Sequence, residues 1–353
     1  MKLFLYVLLI ACLVADILES KTILITGGAG FIGATLTEKL IERKDTVIVV
    51  DNFVSLAGAK AQEYNGQKRK RIAQLQIDHL DRLHVYENSI TDMQALDVVF
   101  SRHAIDVVCH LAAHAGVRAS VENPQKFVDT NITGTINVLE MIKKYKIAHC
   151  VLASSSSVYG DTDQLPFTED QMTDTQTSVY GVTKKSLELM AQVYTRQYGF
   201  SATCLRFFTV YGPYGRFDMA PFIFMDAIHN EKPITIYGDG MVVRDFTYVD
   251  DIVDGIIRAL DTPLGFQIVN LGTTNTIVLN DFIVLLECLI GKDAQKIYKD
   301  AMQADVRMTW ADVTKAQHLL GYEPSANLIS GLQKMYEWYV NFFNQNSEER
   351  CIA

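Results

Sequence analysis

The chain has 353 residues, 49% of them hydrophobic, so it can bury a large core as one big or two smaller domains. Its formal net charge of -9 excludes the broad basic face that non-specific nucleic-acid binding requires, and we predict no nucleic-acid partner. The six cysteines include no Cys-x-x-Cys pair, and three lie in apolar, strand-like runs. They predict reduced core residues, with no disulfides and no metal site.

Residues 1–20 contain a continuous apolar run, 3–14, which follows Lys2. This pattern is similar to the n- and h-regions of a signal peptide, but a membrane span needs ~20 apolar residues. Three interpretations stay open: an apolar extension packed on the fold, a short membrane anchor, or a cleaved leader.

A glycine-rich motif begins directly after the first predicted strand, Thr22–Thr26. Gly27, Gly30 and Gly33 have the spacing G-x-x-G-x-x-G and open a predicted helix. In the dinucleotide fingerprint such glycines permit a tight turn, the approach of a pyrophosphate and close packing of helix on strand. The phosphates then meet backbone N–H groups at the helix N-terminus, here near Phe31 and Ile32.

The second predicted strand, Thr46–Val50, ends in Asp51, 18 positions after Gly33. A carboxylate at this place accepts hydrogen bonds from the ribose diol and repels a 2′-phosphate, which favours NAD over NADP. Asp51 alone would be an ordinary strand-end cap, and the preceding glycines favour the cofactor role. The basic run 68–71, in contrast, is interpreted as the solvated end of a helix, although it has the charge to contact a phosphate.

Strands and helices alternate further along the chain. The predicted strands are 83–86, 107–111, 150–153, 202–206 and 268–271, and one predicted helix is 128–144. This alternation predicts an α/β fold with a parallel, doubly wound sheet. Ligands bind beyond the carboxyl ends of such strands, where Ala112, Ala113, Ser155 and Thr209 fall. His110, also at a strand end, is interpreted as a satisfied core histidine.

Tyr180 and Lys184 are four residues apart at the start of a segment with helical periodicity, so they lie on one helix face. A neighbouring ammonium lowers the pKa of a phenol, and a phenolate can act as a base near neutral pH. A serine hydroxyl such as that of Ser155 can align the substrate oxygen. Taken alone, the pair is better explained by a half-buried tyrosine with a snorkelling lysine.

From Lys21 to about Phe343 the chain resembles the extended short-chain dehydrogenases/reductases, specifically the nucleotide-sugar epimerases and most closely the UDP-glucuronate 4-epimerases. The resemblance rests on ordered motifs, which are 26–33, 51–53, 110–113, 115–118, 130–131, 154–160, 180–184, 205–213, 244–248 and 320–324. It implies that Tyr180 is the catalytic base. Lys184 would be its tuning cation and a ligand of the nicotinamide ribose, and Ser155 would bind the sugar hydroxyl.

The resemblance also implies the reaction type. Dehydratases of the family carry Asp-Glu after the serine, and decarboxylases carry Glu at the second position, whereas this chain has Ser156 and Ser157. The absence of these acidic residues favours epimerisation. Together with Thr209, the hydroxyls of Ser156 and Ser157 suit a sugar carboxylate. The predicted cofactor ligands are Gly27, Gly30, Phe31, Ile32, Gly33, Asp51, Asn52, Ala112, Ala113, Tyr180 and Lys184.

Nucleotide binding is implied for the C-terminal part. Arg216 and Arg244 match arginines that approach the diphosphate or sugar, Asp305 matches a ribose-binding carboxylate, and Tyr237 is expected beside the uracil. We therefore expect a NAD-binding domain over 21–210, with 246–272 returning to it. A UDP-sugar domain would comprise 211–245 and 273–345.

The predicted function is NAD-dependent inversion of C4 of a UDP-sugar, UDP-glucuronate to UDP-galacturonate, through a 4-keto intermediate. Alternatives are epimerisation of another UDP-hexose such as UDP-glucose, decarboxylation of UDP-glucuronate, and a non-catalytic NAD-binding regulator on the same scaffold. Family practice implies a homodimer. The cofactor implies a cytoplasmic protein, with membrane contact only through 1–20.

Overall fold

The computed structural model describes residues 20–55, 60–301 and 306–352, with side chains described as far as residue 343. The apolar segment predicted at 1–20 therefore lies, except for Ser20, outside the described residues. Within the described ranges, no helix has the length and apolar character to cross a membrane.

Twelve strands form three sheets within the part of the chain that the structure describes. In chain order they are β1 Thr22–Thr26, β2 Thr46–Val50, β3 Leu83–Tyr86, β4 Val107–His110, β5 His149–Ser155, β6 Ser201–Phe207, β7 Thr209–Tyr211, β8 Ile234–Tyr237, β9 Val243–Tyr248, β10 Phe266–Leu271, β11 Thr276–Val278 and β12 Lys296–Lys299. Seven of them make one parallel sheet in the order β10-β6-β5-β4-β1-β2-β3. From β3 to β6 this is the strand order of the doubly wound dinucleotide fold, so the predicted fold class is confirmed.

Helices connect these strands. They are α1 Phe31–Glu42, α2 Ala61–Asp78, α3 Met93–Arg102, α4 Val117–Glu122, α5 Pro124–Phe127, α6 Gly134–Lys144, α7 Val179–Tyr198, α8 Ala220–His229, α9 Val249–Asp261, α10 Leu279–Ile290, α11 Thr314–Leu320 and α12 Leu328–Ile352. A π-helical turn, Val128–Thr133, precedes α6, and a 3₁₀ turn, Ser156–Tyr159, follows β5.

The central strands are apolar on both faces because helices cover the sheet on both sides. Alternate residues of β1 belong to different cores: Ile23 and Ile25 face one hydrophobic cluster and Leu24 faces the other. All three side chains are fully buried. The three cysteines predicted to be reduced core residues lie in these same two hydrophobic clusters. Cys109, Cys150 and Cys204 are free and buried, which confirms that prediction.

Two smaller sheets come from the C-terminal half of the chain. In one, β9 lies between β7 and β11, and in the other β8 pairs with β12. Asp245 in β9 is fully buried and accepts hydrogen bonds from the backbone of Thr273 and Ala311. This carboxylate joins three segments that the chain brings together from distant positions. The division into two domains stays a prediction.

Most predicted strands differ from the observed ones by one or two residues at an end, and two differences bear on the site. The helix predicted over 128–144 is α-helical only from Gly134, because its first six residues form the π-helical turn. The strand predicted over 150–153 continues to Ser155. Ser154 tolerates this buried strand position because its hydroxyl donates to the Glu188 carboxylate at 2.7 Å.

Candidate active site

The turn between β1 and α1 is shaped by glycines. Gly27 has a φ of 73°, and a Cβ there would lie 2.7 Å from the backbone nitrogen of Ala112, at the end of β4. A Cβ on Gly33 would lie 2.1 Å from the carbonyl oxygen of Gly27. Side chains are therefore excluded where the turn, α1 and the β4 loop meet, which leaves backbone to face a ligand.

The start of α1 borders this turn. Gly30 is its N-cap and offers no side-chain cap, and Phe31, Ile32 and Gly33 form its first turn. The first N–H groups of a helix have no intrahelical acceptor and attract anions. This uncapped end fits the phosphates of a dinucleotide.

A cleft runs from this turn across the carboxyl ends of β2 and β4. Its lining includes the predicted cofactor ligands Gly27, Gly30, Asp51, Asn52, Ala112 and Ala113, together with Lys68, His114 and Thr130. Residues that are distant in sequence are thus brought to one edge of the sheet, as expected for a doubly wound fold.

Asp51 is fixed at the β2 end of the cleft. Its carboxylate accepts hydrogen bonds from the backbone nitrogens of Ala29, at 3.1 Å, and Phe53, at 2.7 Å. The ammonium of Lys68 lies 2.9 Å from Asp51 Oδ1, and both side chains are buried. The predicted ribose ligand therefore has a cationic partner.

Lys68 corrects the interpretation of the basic run 68–71. That run lies in the middle of α2, not at a solvated helix end, and α2 contacts α1 beside the cleft. Arg69 and Lys70 are exposed as expected, but the interpretation is wrong for Lys68 and Arg71. Arg71 contacts Glu38 and lies 4.0 Å from the centre of the Tyr214 ring.

The sequence itself carries a signal for the burial of Lys68. Tyr64, Lys68 and Ile72 are spaced i, i+4 and i+8, so a lysine occupies the buried stripe of α2. A lysine in such a stripe indicates a buried acidic partner, because a buried charge has to be paired.

Ser155 and Tyr180 lie at the ends of adjacent elements, β5 and α7. The Ser155 hydroxyl donates to Ser157 Oγ and accepts from the Ser157 backbone nitrogen, both at 3.2 Å. Burial raises the pKa of Tyr180, while a hydrogen bond with Ser155 and the positive charge of Arg216 oppose that rise. The structure thus brings a phenol and two serine hydroxyls together.

Lys184 lies one turn after Tyr180 in α7 and is buried. Its ammonium donates to the Ala153 carbonyl oxygen at 2.6 Å and lies 6.0 Å from the centre of the Tyr180 ring. Burial lowers the pKa of Lys184 to about 8, and the neighbouring Cys204 and Glu188 oppose that shift. In this structure Arg216, not Lys184, supplies the charge that acts on Tyr180. Tuning by Lys184 stays a prediction.

Arg216 connects the 212–219 loop to the loop after β4. Its guanidinium donates to both oxygens of Asp218, at 3.0 and 2.6 Å, and to the Ala115 carbonyl oxygen at 2.8 Å. The predicted sugar- or phosphate-binding arginine is therefore held beside Tyr180 by a carboxylate of its own loop.

A buried ion pair lies next to Ser154, whose hydroxyl donates to one of its members. Arg206 Nε and Nη2 donate to Glu188 at 2.7 and 2.9 Å, and both side chains are almost fully buried. Glu188 is one helical turn beyond Lys184, and Arg206 pairs in register with Ser154. This pair anchors α7 to β6, and the bond from Ser154 to Glu188 ties α7 to β5, the strand that ends in Ser155. The sequence signal is a charged residue in an otherwise apolar strand.

Asn131, in the π-helical turn, holds the loop after β4. Its side chain bonds to both the backbone N–H and the carbonyl of His114, at 2.8 and 2.9 Å, and donates to Thr183 Oγ1 at 3.0 Å. His110 is hydrogen-bonded to Thr26 and Thr135. Burial lowers the pKa of His110 to about 3, so its interpretation as a satisfied core histidine is confirmed.

The remaining predicted substrate ligands are spread over several elements. Ser156 opens the 3₁₀ turn after Ser155, and Thr209 begins β7. Tyr237 ends β8, with the guanidinium carbon of Arg118 4.2 Å from its ring centre. Arg244 in β9 donates to the Val243 carbonyl oxygen at 2.8 Å. Asp305 lies outside the described residues.

Comparison with known proteins identifies relatives over most of the chain. Residues 23–272 match the model of the NAD dependent epimerase/dehydratase family. A UDP-glucuronate 4-epimerase of Thermodesulfobacterium geofontis is 44% identical over 316 residues, which cover 89% of this chain and 95% of the relative. UDP-glucuronate 4-epimerase 4 of Arabidopsis thaliana is 39% identical over 341 residues, covering 92% of this chain and 76% of the relative.

Solved structures give the same result. A UDP-glucuronic acid 4-epimerase from Bacillus cereus, in complex with UDP-glucuronic acid and NAD, has a TM-score of 0.82 and 35% identity, covering 91% of this chain and 99% of that one. A UDP-glucose 4-epimerase from Thermotoga maritima, with UDP-glucose, has a TM-score of 0.80 and 34% identity, with the same coverage.

Proposed function

Because the chain belongs to the NAD dependent epimerase/dehydratase family, we propose that it inverts C4 of UDP-glucuronate to give UDP-galacturonate. The observation that carries the proposal is the placement of Ser155 at the end of β5 and Tyr180 at the start of α7, where Ser155 and Arg216 both act to lower the pKa of the Tyr180 phenol. A base and a hydrogen-bond donor are thus positioned for one sugar hydroxyl.

NAD is the cofactor of this family, and the glycine turn, the uncapped start of α1 and Asp51 fit its phosphates and ribose. In our proposal Gly27, Gly30 and the first turn of α1 hold the pyrophosphate. Asp51 and Asn52 face the adenosine ribose, and Lys184 faces the nicotinamide ribose. When bound, NAD would supply the acceptor and donor of hydride at C4′.

The chain's own residues manage the proton. Tyr180, as phenolate, accepts the proton of the sugar 4′-hydroxyl, and Ser155 donates a hydrogen bond to the oxygen that becomes a carbonyl. Arg216 opposes the effect of burial on the Tyr180 pKa, which favours the base form. The 4-keto sugar turns within the site so that hydride would return to the opposite face of C4′, and Tyr180 gives the proton back to the 4′-oxygen.

The hydroxyls beside Ser155 support glucuronate as the substrate. We propose that Ser156, Ser157 and Thr209 bind the sugar carboxylate through hydrogen bonds. Three neutral donors hold a carboxylate without adding a group that would take part in elimination or decarboxylation. Decarboxylases of the family carry a glutamate where this chain has Ser157.

The nucleotide half of the site is a proposal from the same resemblance. Arg244 would bind the diphosphate, since a guanidinium matches phosphate oxygens in geometry. Tyr237 would pack beside the uracil, and Asp305 would accept hydrogen bonds from the uridine ribose. Arg118 stacks on the Tyr237 ring, which places a second cation near this part of the site.

We also propose a homodimer. The outer face of α7 exposes Val182, Leu189 and Val193, spaced i, i+7 and i+11, with Ile136 of α6 exposed nearby in the fold. A pair of such faces would bury these apolar side chains. Cytoplasmic location and membrane contact through 1–20 stay proposals.

One specific observation favours a second candidate. The Thermotoga maritima structure that resembles this chain is a UDP-glucose 4-epimerase with UDP-glucose. A hexose with a neutral 6-hydroxyl would also find hydrogen bonds at the three hydroxyls proposed to bind the carboxylate. Epimerisation of UDP-glucose is therefore the alternative to be tested.

The test is a product assay on the purified protein with UDP-glucuronate and no added reductant, followed by NMR of the anomeric protons. We expect UDP-galacturonate, and none of it from Tyr180→Phe, which keeps the ring and removes the base. UDP-xylose would overturn the argument from Ser156 and Ser157. Turnover of UDP-glucose with none of UDP-glucuronate would establish the alternative, and turnover of neither would overturn both.

A further inference from the structure

The carboxylate expected to meet the adenosine ribose is neutralised by a lysine. Lys68 approaches Asp51 Oδ1 to 2.9 Å, on the same oxygen that accepts from the Phe53 backbone nitrogen at 2.7 Å. Lys68 and Asp51 are 7% and 5% exposed, and both line the dinucleotide cleft. A ligand at this end of the cleft therefore meets an anion and a cation together.

This arrangement changes how the cleft distinguishes NAD from NADP. A lone carboxylate repels a 2′-phosphate by its negative charge, and it has no hydrogen-bond donor to offer the phosphate oxygens. A lysine at 2.9 Å cancels most of that repulsion at close range. An ammonium has three donors, so Lys68 can bond to Asp51 and also donate to a ribose oxygen.

The surroundings add positive charge on the same side. The Arg69 guanidinium carbon lies 4.4 Å from the centre of the Phe53 ring, and Lys68 Nζ lies 5.8 Å from it. Arg69 is held outside the cleft by Glu87, in a pair that is about half exposed. Lys68 is thus the buried cation of this rim, and Arg69 is its exposed neighbour.

We propose that Lys68 is a specificity-determining residue of the cofactor site, which binds the adenosine ribose together with Asp51. While it is paired with Asp51, Lys68 donates a hydrogen bond to the ribose diol, and the site selects NAD. Without the Asp51 charge, Lys68 becomes the receptor for a 2′-phosphate. The inference rests on the proposed function only in that a dinucleotide occupies this cleft, since it involves no step of sugar chemistry.

The simpler explanation is that Lys68 only neutralises a buried carboxylate. The two explanations differ when Asp51 is replaced. If Lys68 recognises the ligand, Asp51→Asn leaves a buried cation that a 2′-phosphate compensates, so NADP binding improves. If Lys68 is only a counter-charge, the change in NADP binding in Asp51→Asn does not depend on Lys68.

The experiment measures dissociation constants for NAD and NADP, by calorimetry without UDP-sugar, for wild type, Asp51→Asn and Asp51→Asn/Lys68→Met. We expect Asp51→Asn to shift the preference toward NADP by about 10- to 100-fold, the range of a hydrogen bond to a charged group. The double variant should lose most of that gain. It carries no buried charge at either position, so its folding is expected to be preserved, and its thermal midpoint checks this.

Arg69 provides the matched control, because Asp51→Asn/Arg69→Met removes the neighbouring cation. This variant should keep the shift toward NADP. The proposal is overturned if Asp51→Asn/Lys68→Met retains the full shift, or if Asp51→Asn does not change the preference. These outcomes are independent of epimerase activity, so a wrong substrate assignment would leave the inference intact.

Discussion

Two lysines are buried in the cofactor and catalytic region, and their partners differ. Lys68 pairs with a carboxylate, Asp51, whereas Lys184 donates to a neutral carbonyl, that of Ala153. An ammonium beside a carboxylate is compensated for the loss of water, but one beside a carbonyl is compensated only in part. Burial accordingly lowers the pKa of Lys184 to about 8.

The difference separates a binding role from a proton-transfer role. A lysine paired with a carboxylate can hold a cofactor in place through its fixed charge, without a change in the protonation of the lysine. A lysine whose pKa lies near 8 changes its charge near neutral pH, which suits the proposed site in which Tyr180 would give and take a proton. The same residue type therefore serves two purposes, according to whether a carboxylate lies beside it.

The largest effect on stability is expected from Lys68→Met. It leaves the Asp51 carboxylate buried with no cation beside it, which typically costs about 3 to 5 kcal/mol of the free energy of unfolding. Urea denaturation of the variant measures this loss. Asp51→Asn/Lys68→Met should recover most of it. Equal loss in the single and double variants would show that Lys68 stabilises by packing and not by charge.

Lys184→Met, in contrast, is expected to raise the free energy of unfolding. The lowered pKa means that burying the charged form costs about 3 kcal/mol below pH 8, and the lost bond to Ala153 offsets about 1 kcal/mol. The variant should therefore be about 2 kcal/mol more stable at pH 7 while losing epimerase activity.

The pH dependence of that gain is set by the two pKa values of Lys184. In the unfolded chain Lys184 keeps its proton up to about pH 10.5, and in the folded protein up to about pH 8. The cost of burying the charged ammonium in the wild type therefore disappears as the pH rises from 8 to 10.5. Denaturation at pH 7 and pH 10 should show the stability gain of Lys184→Met shrinking. A variant less stable than wild type at pH 7 would contradict the contrast between the two lysines.

A smaller effect, on the pH dependence of activity, is expected from Glu188→Gln, which also leaves the buried Arg206 without its carboxylate and should therefore destabilise the fold. The Glu188 charge opposes the lowering of the Lys184 pKa, so its removal lowers that pKa further. Lys184 then loses its proton at a lower pH, and the alkaline decline of kcat should move down by up to about one pH unit. Ser154→Ala is the matched control, because it removes a hydrogen bond to Glu188 without changing charge. An equal shift in both variants would indicate a loss of packing instead.

Local patterns predict much of the fold and the cofactor turn. The run Thr22–Thr26 and the glycines after it act within a few residues, so residue type and spacing are sufficient. The order of the parallel strands then places Asp51 and Ala112 at one cleft, because carboxyl ends of such strands meet at one edge.

Contacts between distant segments could not be predicted in this way. Ser154 stays in β5 because of Glu188, 34 positions later, and Lys68 is buried because α2 brings it to Asp51. The effect of Arg216 on Tyr180 depends on the fold of the 212–219 loop. Each of these is a polar group whose partner is visible only after the chain has folded.

The most direct test of the proposed chemistry follows the hydrogen on C4′. UDP-glucuronate deuterated at C4′ is converted by the purified protein, and the product is examined by NMR. Removal and return at the same carbon predict UDP-galacturonate that keeps its deuterium at C4′, with none released to water and no product from Tyr180→Phe. Loss of the deuterium to solvent, or inversion at another carbon, would contradict a 4-keto intermediate formed with Tyr180 as the base.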